Sequence, residues 1–574
     1  MIYVRMYSQD KMNWIMAGFV FLWLIGMLIL NKIIRYKNNE EKKLLCNLLC
    51  EVPIVVCIFH FIFFNFKGRL MLTILSFGGF YLSAMVVALL PLLLKFRKKV
   101  IVYAIAIVIT VIGCVFTVGY PAITNCGTRN YSHMNYVDSF EAMTKNMKEY
   151  DTLLEWKKIN IDQIKDDIMP MVREAEDKDD KALFYAAMCK YTYHFFDGHT
   201  WVNAGSSKIQ KEAETIFAGN DYGFSMIRLE NGETIATLVE DGCDARKNGL
   251  QNGTRIVKWN GENIDEAISN VQCIYTKEYG RWPVKENEEM FKPIFLAGKG
   301  NDETLVTFIL PDNEEKTVKL AKIGSYRERL EKACEIILAK DKLKEQKNYN
   351  TYMINDTFGY LRISEEEYGF FSDLVSYVSG SSSDARDMFD KKIDELVKKG
   401  MKKLVIDVRN NRGGSSVIPL ELTALFTKKD IYINSMAYID GEKKEIVRNE
   451  YVKANGKYAD LEVIVLTNSR CVSAGDYLVY CMGKCDNVKV VGTTVSTGSS
   501  QPVGGNCVMS DGICDIRYPQ NWMLDENGDR FIDTKEDRKS RILLDEKIPL
   551  TYQGAMDMYS NNIDYELTYI TENY

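Results

Sequence analysis

The chain has 574 residues, enough for several domains, with 47% hydrophobic residues and a formal net charge of -6. No strongly basic stripe is present, which argues against nucleic acid as a partner. The apolar residues are unevenly spread. Four long hydrophobic runs lie near 13–33, 45–66, 70–94 and 100–120. Each is about long enough to cross a bilayer, which takes roughly 20 apolar residues. The first is too long for a signal peptide, and three more follow it. Loop one holds Lys32, Arg35, Lys37, Lys42 and Lys43, and loop three holds Lys95, Arg97, Lys98 and Lys99. Those loops are therefore expected on the cytoplasmic side, and everything after Tyr120 outside. The expectation is a multi-pass protein of the cell membrane, with the membrane as a partner and an extracytoplasmic C-terminal region. Glu51 and His60 lie near the ends of the second run, where interfacial or interhelical placement is expected.

Ten of the 14 cysteines follow Tyr120, and an outside location permits disulfides. Cys507 and Cys514 flank an expected hairpin turn and are a better pair than Cys481 and Cys485. Neither pair has zinc-site spacing, and no metal is expected.

Residues 121–136 read as a polar connector. From Val137 to His199 the apolar spacing is helical and predicts a small bundle, with domain bounds of 121–205. The bundle ends at Phe195-Phe196-Asp197-Gly198-His199-Thr200. There are four histidines, His60, His133, His194 and His199. His199 follows a helix-stop signal and so belongs to a turn, while His194 sits inside the last helix.

Residues 206–322 read as β-rich, with turns at Asn231-Gly232, Asn252-Gly253 and Asn260-Gly261. The order from Gly223 to Gly261 resembles a PDZ domain. In that resemblance Tyr222, Gly223 and Phe224 stand at the loop that holds a peptide carboxylate, and an extended peptide is taken as an added strand. Residues 268–300 depart from the compact pattern and are expected to form a lid or an insertion.

Residues 323–574 read as an α/β region. Leu404 to Val408 is a buried strand followed by Arg409-Asn410-Asn411-Arg412-Gly413-Gly414. Adjacent glycines after a strand expose backbone N–H groups; the Walker spacing for phosphate is absent, so an oxyanion site is the alternative. Val463 to Thr467 is a second strand, and Ser473-Ala474-Gly475-Asp476 opens a helix. A serine where a strand turns into a helix suits a nucleophile, with Gly413 or Gly414 and Ala474 as oxyanion donors. The same Ser473 and Asp476, three residues apart, also fit a capping box. Asp525 to Asp529 has its glycine at the wrong place for a calcium loop, and a type I′ turn at Asn527-Gly528 is expected instead.

The stretch LVIDVRNNRGG (404–414), then Ser473-Ala474-Gly475-Asp476, then Val490-Val491-Gly492-Thr493-Thr494, resembles the C-terminal processing peptidases, or tail-specific proteases. The resemblance covers about residues 137–555. It implies a PDZ domain and a crotonase-like core of ββα spiral units, and a serine endopeptidase acting on protein or peptide substrates without cofactors. Thr497 occupies the place of the bacterial lysine base. The Asp197-Gly198-His199-Thr200 segment instead resembles the tricorn core protease branch, which implies His199 as base and Ser473 as nucleophile. Gly198 stands where that branch has a helper serine. The orienting acid is expected after residue 515, with Glu536 and Asp537 as candidates. The fold expected is therefore four transmembrane helices (1–120), a helical bundle, a PDZ-like domain and a peptidase core. A catalytically degenerate peptide-binding protein and a PDZ membrane scaffold are the alternatives.

Overall fold

The structure, a computed structural model, describes residues 128–276, 279–367, 382–440 and 443–574, with scattered helical positions between 22 and 108. The four membrane-crossing helices do not survive as an expectation. Among the described residues no helix is long and apolar enough to cross a membrane. Most positions of the four runs lie outside the described residues. The expectation rested on run length, and an apolar run of that length does not by itself require one unbroken helix. The multi-pass location falls with it, because sidedness was drawn from the charges between those runs.

Strand β1 (Thr128–Asn130) leads into helices α1 (Tyr136–Tyr150), α2 (Ile161–Asp177) and α3 (Lys181–Tyr193). Asn135, Asn160 and Asp180 cap the three helices, each accepting an N–H from the first turn. Their apolar faces, including Phe140, Met143, Ile168, Val172, Phe184 and Tyr191, form one core. Strand β2 (Trp201–Ala204) and helix α4 (Ser207–Ala218) follow.

The middle region is an antiparallel sheet built from β3 (Ser225–Arg228), β4 (Thr234–Thr237), β5 (Arg255–Trp259), β6 (Glu262–Asn263), β7 (Glu303–Ile309) and β8 (Glu315–Ala321). Its order is β3-β4-β5-β7-β8, with β6 paired to β5. Asn260 and Gly261 both have positive φ, as a type I′ turn needs; at Asn231-Gly232 and Asn527-Gly528 only the glycine does. The type I′ expectation at Asn527 is therefore corrected. Helix α5 (Lys285–Leu296) interrupts the sheet's sequence, and α6 (Arg327–Ile337) packs beside it.

The C-terminal region contains β9 (Thr351–Met353), β10 (Phe358–Arg362), α7 (Ser383–Lys398), β11 (Lys403–Asp407), α8 (Val417–Ala424), β12 (Ile431–Asp440) and β13 (Lys443–Val452). It continues through β14 (Glu462–Leu466), α9 (Ala474–Met482), β15 (Val488–Gly492), β16 (Val503–Val508), β17 (Cys514–Pro519), β18 (Trp522–Leu524) and β19 (Glu546–Lys547). Helices α10 (Tyr552–Tyr559) and α11 (Tyr565–Asn573) close the chain. The central sheet runs β9-β10-β11-β14-β15-β19, parallel throughout except for β9 against β10. Both faces are covered, as a parallel sheet requires. Leu404, Ile406, Val463 and Val465 face the helices α7 to α9, while Val405, Ile464 and Leu466 face a second layer that includes Ile570 of α11.

Two further sheets complete the region. One is β13-β12-β18; the other is β1-β16-β17-β2. In the second, β2 runs antiparallel to β17, with Ala204 opposite Cys514 and Trp201 opposite Arg517. The bundle core is continuous with Cys507, Cys514, Ile516 and Tyr518 of that sheet. This sheet joins the bundle to the α/β region. Cys507 lies opposite Ile516, not Cys514, and Cys481, Cys485, Cys507 and Cys514 are all buried thiols outside any disulfide.

Candidate active site

Ser473 ends the turn that follows β14 and precedes α9. Its backbone has φ 64° and ψ −122°, a region costly for any residue with a Cβ. An ordinary helix cap is extended. The capping pattern accounts for the Ser473 N–H, which donates to Asp476 Oδ2 at 3.1 Å, but not for the strained backbone. Asp476 does more than cap. Its carboxylate also accepts the N–H groups of Gly498 at 2.8 Å and Ser499 at 3.1 Å. Burial pushes its carboxyl up to about 7, against the pull of those donors.

The glycine turn after β11 comes up beside Ser473. A Cβ placed on Gly413 would lie 2.6 Å from the Ser473 Cβ and 3.1 Å from its Oγ. Gly413 and Gly414 have φ of 83° and 154°, which only glycine adopts readily. The Gly413 N–H is taken by Asn411 Oδ1 at 2.7 Å. The N–H groups of Gly414 and Ala474 have no hydrogen-bond partner among the described residues. Of the two glycines, Gly414 is thus the one with a donor to spare, beside that of Ala474.

His199 comes from the other end of the chain, in the turn between α3 and β2. It is buried, and its Nδ1 lies 2.7 Å from the Gln501 carbonyl oxygen. A carbonyl only accepts, so Nδ1 carries the proton and Nε2 is left with its lone pair, as a general base needs. Gly198 donates its N–H to Ser499 Oγ at 2.8 Å, across 301 positions of sequence. A Cβ on Gly198 would lie 2.7 Å from that same oxygen. Ser499 therefore stands where a serine at 198 would project, and it also donates to Asp197 at 3.1 Å. No hydrogen bond joins the His199 ring to Ser473 here. The two residues are linked through Asp476 and Ser499, and catalytic hydrogen bonds commonly close only with substrate present.

Beneath His199 lies Asp533, which sequence reasoning missed. It is fully buried, and its Oδ2 accepts from the Ser500 N–H (3.1 Å), the Ser500 hydroxyl (2.8 Å) and Gln501 Nε2 (2.9 Å). Three donors on one oxygen fit a carboxylate. Burial and Asp197 push its pKa up, and Lys157 pulls it back. Glu536, the acid expected here, is instead on the surface and paired with Lys158 at 2.5 Å. Asp537 caps its own turn, accepting the Lys539 N–H. The only signal that separates Asp533 from these neighbours is burial, which a single sequence does not display. Thr497, at the lysine place, spends its hydroxyl on the Ser469 carbonyl at 2.9 Å.

Burial lowers the pKa of His199 below 6.5, although Asp197, Asp533 and the Gln501 carbonyl favour its charged form. A general base acts as the neutral imidazole, so with His199 in that role the acidic limb of kcat/KM is expected below pH 6.5. Asp533→Asn removes a charge that favours imidazolium. It is expected to move that limb further toward acid and to lower kcat/KM roughly tenfold to a hundredfold. A pH–rate profile of the two proteins checks this; a limb that stays put removes Asp533 from the site.

The 268–300 segment touches both the His199 turn and the segment that follows β15. Arg281 donates to the Gly198 carbonyl, and Asn287 Nδ2 donates to the carbonyls of Val495 (3.0 Å) and Ser496 (3.2 Å). Tyr222, Gly223 and Phe224 lie at the start of β3, away from these residues. All three are buried; the Gly223 N–H is taken by Asp221 at 2.8 Å, and the Tyr222 hydroxyl by the Asn301 carbonyl at 2.7 Å.

The family model described as Peptidase family S41 matches residues 357–537. The carboxy-terminal processing protease CtpA of Bacillus subtilis (strain 168) is 23% identical over 294 residues, 50% of this chain and 49% of that protein. The chain thus spans about half the length of this curated relative. Among solved structures, mature CPAF is 13% identical with a TM-score of 0.46, covering 76% of this chain and 98% of that one. The photosystem II D1 C-terminal processing protease is 14% identical with a TM-score of 0.30, covering 75% and 99%. Neither TM-score is high enough to carry an argument, so membership rests on the sequence matches. The residues matched by that family model run from β10 through Ser473 and Asp533, and over them the chain carries a domain similar to Peptidase family S41.

Proposed function

We propose that this chain is a serine endopeptidase that hydrolyses peptide bonds of protein substrates, with Ser473 as nucleophile and His199 as general base. The observation that carries the reading is the strained Ser473 backbone set against the glycine turn, with the Gly414 and Ala474 N–H groups unused. In the proposed reaction His199 Nε2 takes the Ser473 proton as Oγ attacks the carbonyl carbon. The two N–H groups hold the oxyanion. The protonated imidazole then gives its proton to the leaving amine, and water hydrolyses the acyl-enzyme with His199 again as base. Asp533 orients the site through Gln501 and stabilises the imidazolium at a distance.

The β3–β8 sheet is proposed as the PDZ-like module that receives part of a protein substrate. Because Tyr222, Gly223 and Phe224 are buried and internally bonded, they act there by shaping the module rather than as an open cradle.

A fluorophosphonate probe tests the assignment. It is expected to label Ser473 in the parent protein and to label His199→Ala far more slowly, with the modified peptide identified by mass spectrometry. A parent protein that binds unfolded polypeptide but takes no label at Ser473 is a non-hydrolytic binder, and the proposal fails.

A further inference from the structure

Asn411 lies where the parts of the oxyanion turn meet. Its carbonyl accepts the Val472 N–H at 3.0 Å, one residue before Ser473. Its Oδ1 takes the Gly413 N–H at 2.7 Å, and a Cβ on Gly475 would lie 2.8 Å from that atom. Its Nδ2 donates to the Ile363 carbonyl at 3.1 Å and to Glu366 Oε1 at 2.7 Å. Asn411 and Glu366 are both fully buried. The Glu366 backbone is stitched to the same turn. Its N–H donates to the Gly413 carbonyl at 3.1 Å, its carbonyl accepts the Ser415 N–H at 2.8 Å, and a Cβ on Gly414 would lie 2.4 Å from that oxygen.

The donors of this stretch can be followed one by one. Arg412 donates its N–H to the Ser364 carbonyl, Gly413 to Asn411 and Ser415 to Glu366. Gly414 alone of the four is left over among the described residues. A backbone held at every neighbouring peptide leaves one donor with a fixed direction, which is what electrostatic preorganisation needs.

We propose that Asn411, anchored by Glu366, is a positioning residue for the oxyanion: by occupying the Gly413 N–H it reserves the Gly414 N–H for the carbonyl that Ser473 attacks. The proposal rests on the reading of Ser473 as nucleophile. The chemistry of Glu366 fits it. Glu366 Oε2 has no partner among the described residues. The charged and titratable groups that bear on it are Glu365, Arg362 and Cys471. Burial pushes its carboxyl up to about 8. Near neutrality it is an uncharged acid, and an uncharged group behind the turn does not oppose the negative charge that forms on the substrate oxygen.

The test uses the full chain and a fluorogenic peptide, with amide hydrogen exchange read at Gly413 and Gly414. Asn411→Ala is expected to lose on the order of 10²-fold in kcat. Its KM is expected to stay within about threefold, since only the transition state carries the oxyanion. Exchange at Gly413 should quicken. Glu366→Ala should show a similar loss, and Glu366→Gln should restore most of it. In the parent, the rate should fall as Glu366 ionises above about pH 8, and Glu366→Gln should lack that fall. A parental kcat in Asn411→Ala, or a loss shared equally by kcat, KM and thermal stability, overturns the proposal. Should the parent cleave nothing, the nucleophile reading fails separately. The exchange data then decide alone: unchanged protection at Gly413 in Asn411→Ala overturns the positioning role, and faster exchange supports it.

Discussion

Ser473→Ala is expected to lower kcat on an unfolded protein substrate by roughly 10⁶-fold, and His199→Ala by a similar factor. With Ser473 as nucleophile and His199 as its base the two groups would act as one unit, so the double variant should be hardly slower than either single one. The residual rate belongs to the Gly414 and Ala474 donors, which neither substitution touches. Folding should be preserved in Ser473→Ala. The substitution removes one hydroxyl and leaves the N–H that Asp476 accepts. Release of peptides from a labelled, denatured protein measures the rates. A Ser473→Ala protein that keeps even a hundredth of the parental rate would put the nucleophile elsewhere. Additive losses in the double variant would instead show that the serine and the imidazole do not work together.

The second large effect is on stability. Arg409→Met is expected to destabilise the α/β region by about 3–5 kcal/mol. Arg409 is fully buried at the end of β11. It binds Asp407 at 2.7 Å, Asp564 at 2.7 Å and Glu566 at 3.1 Å. Removing the guanidinium leaves Asp407 with only Arg362, 3.7 Å away, and takes from Asp564 and Glu566 the cation they share; Asp407 and Glu566 are buried. The penalty comes from their desolvation more than from the lost attraction. The melting temperature should drop by about 10 °C. Burial raises the pKa of Asp407, but Arg409 and Arg362 more than reverse this and hold it below 3.8. The stability it contributes is therefore present above 3.8 and lost as the pH falls through its folded value. The gap between parent and variant should accordingly narrow in acid. A melt unchanged at neutral pH would mean the cluster is held by something other than its arginine.

Much of the α/β region was legible because burial on both faces leaves near-continuous apolar strands. Leu404 to Val408 and Val463 to Thr467 announce themselves, and Ser473 follows from its place between strand and helix. The bundle was legible from helical spacing. What stayed hidden depends on distant partners. Asp533 differs from Glu536 only in what folds over it. Ser499 reads as one of a run of small polar residues until Gly198 is brought to it. The choice between Gly413 and Gly414 turns on one hydrogen bond, which Asn411 accepts from the Gly413 N–H. Helix α6 stops at Ile337, and Ala339 just beyond it has a positive φ that nothing in its local composition demands. The membrane expectation was drawn from hydropathy alone, and among the described residues no helix is long and apolar enough to cross a membrane.

The pairing of β2 with β17 has a consequence for biosynthesis. A ribosome delivers the imidazole early and the hydroxyl late, and the strand that follows His199 has no neighbour until residues near 514–517 emerge. During that interval the nascent polypeptide holds an open β-edge. The sheet that seats the His199 turn therefore closes only once that distant segment is available to pair.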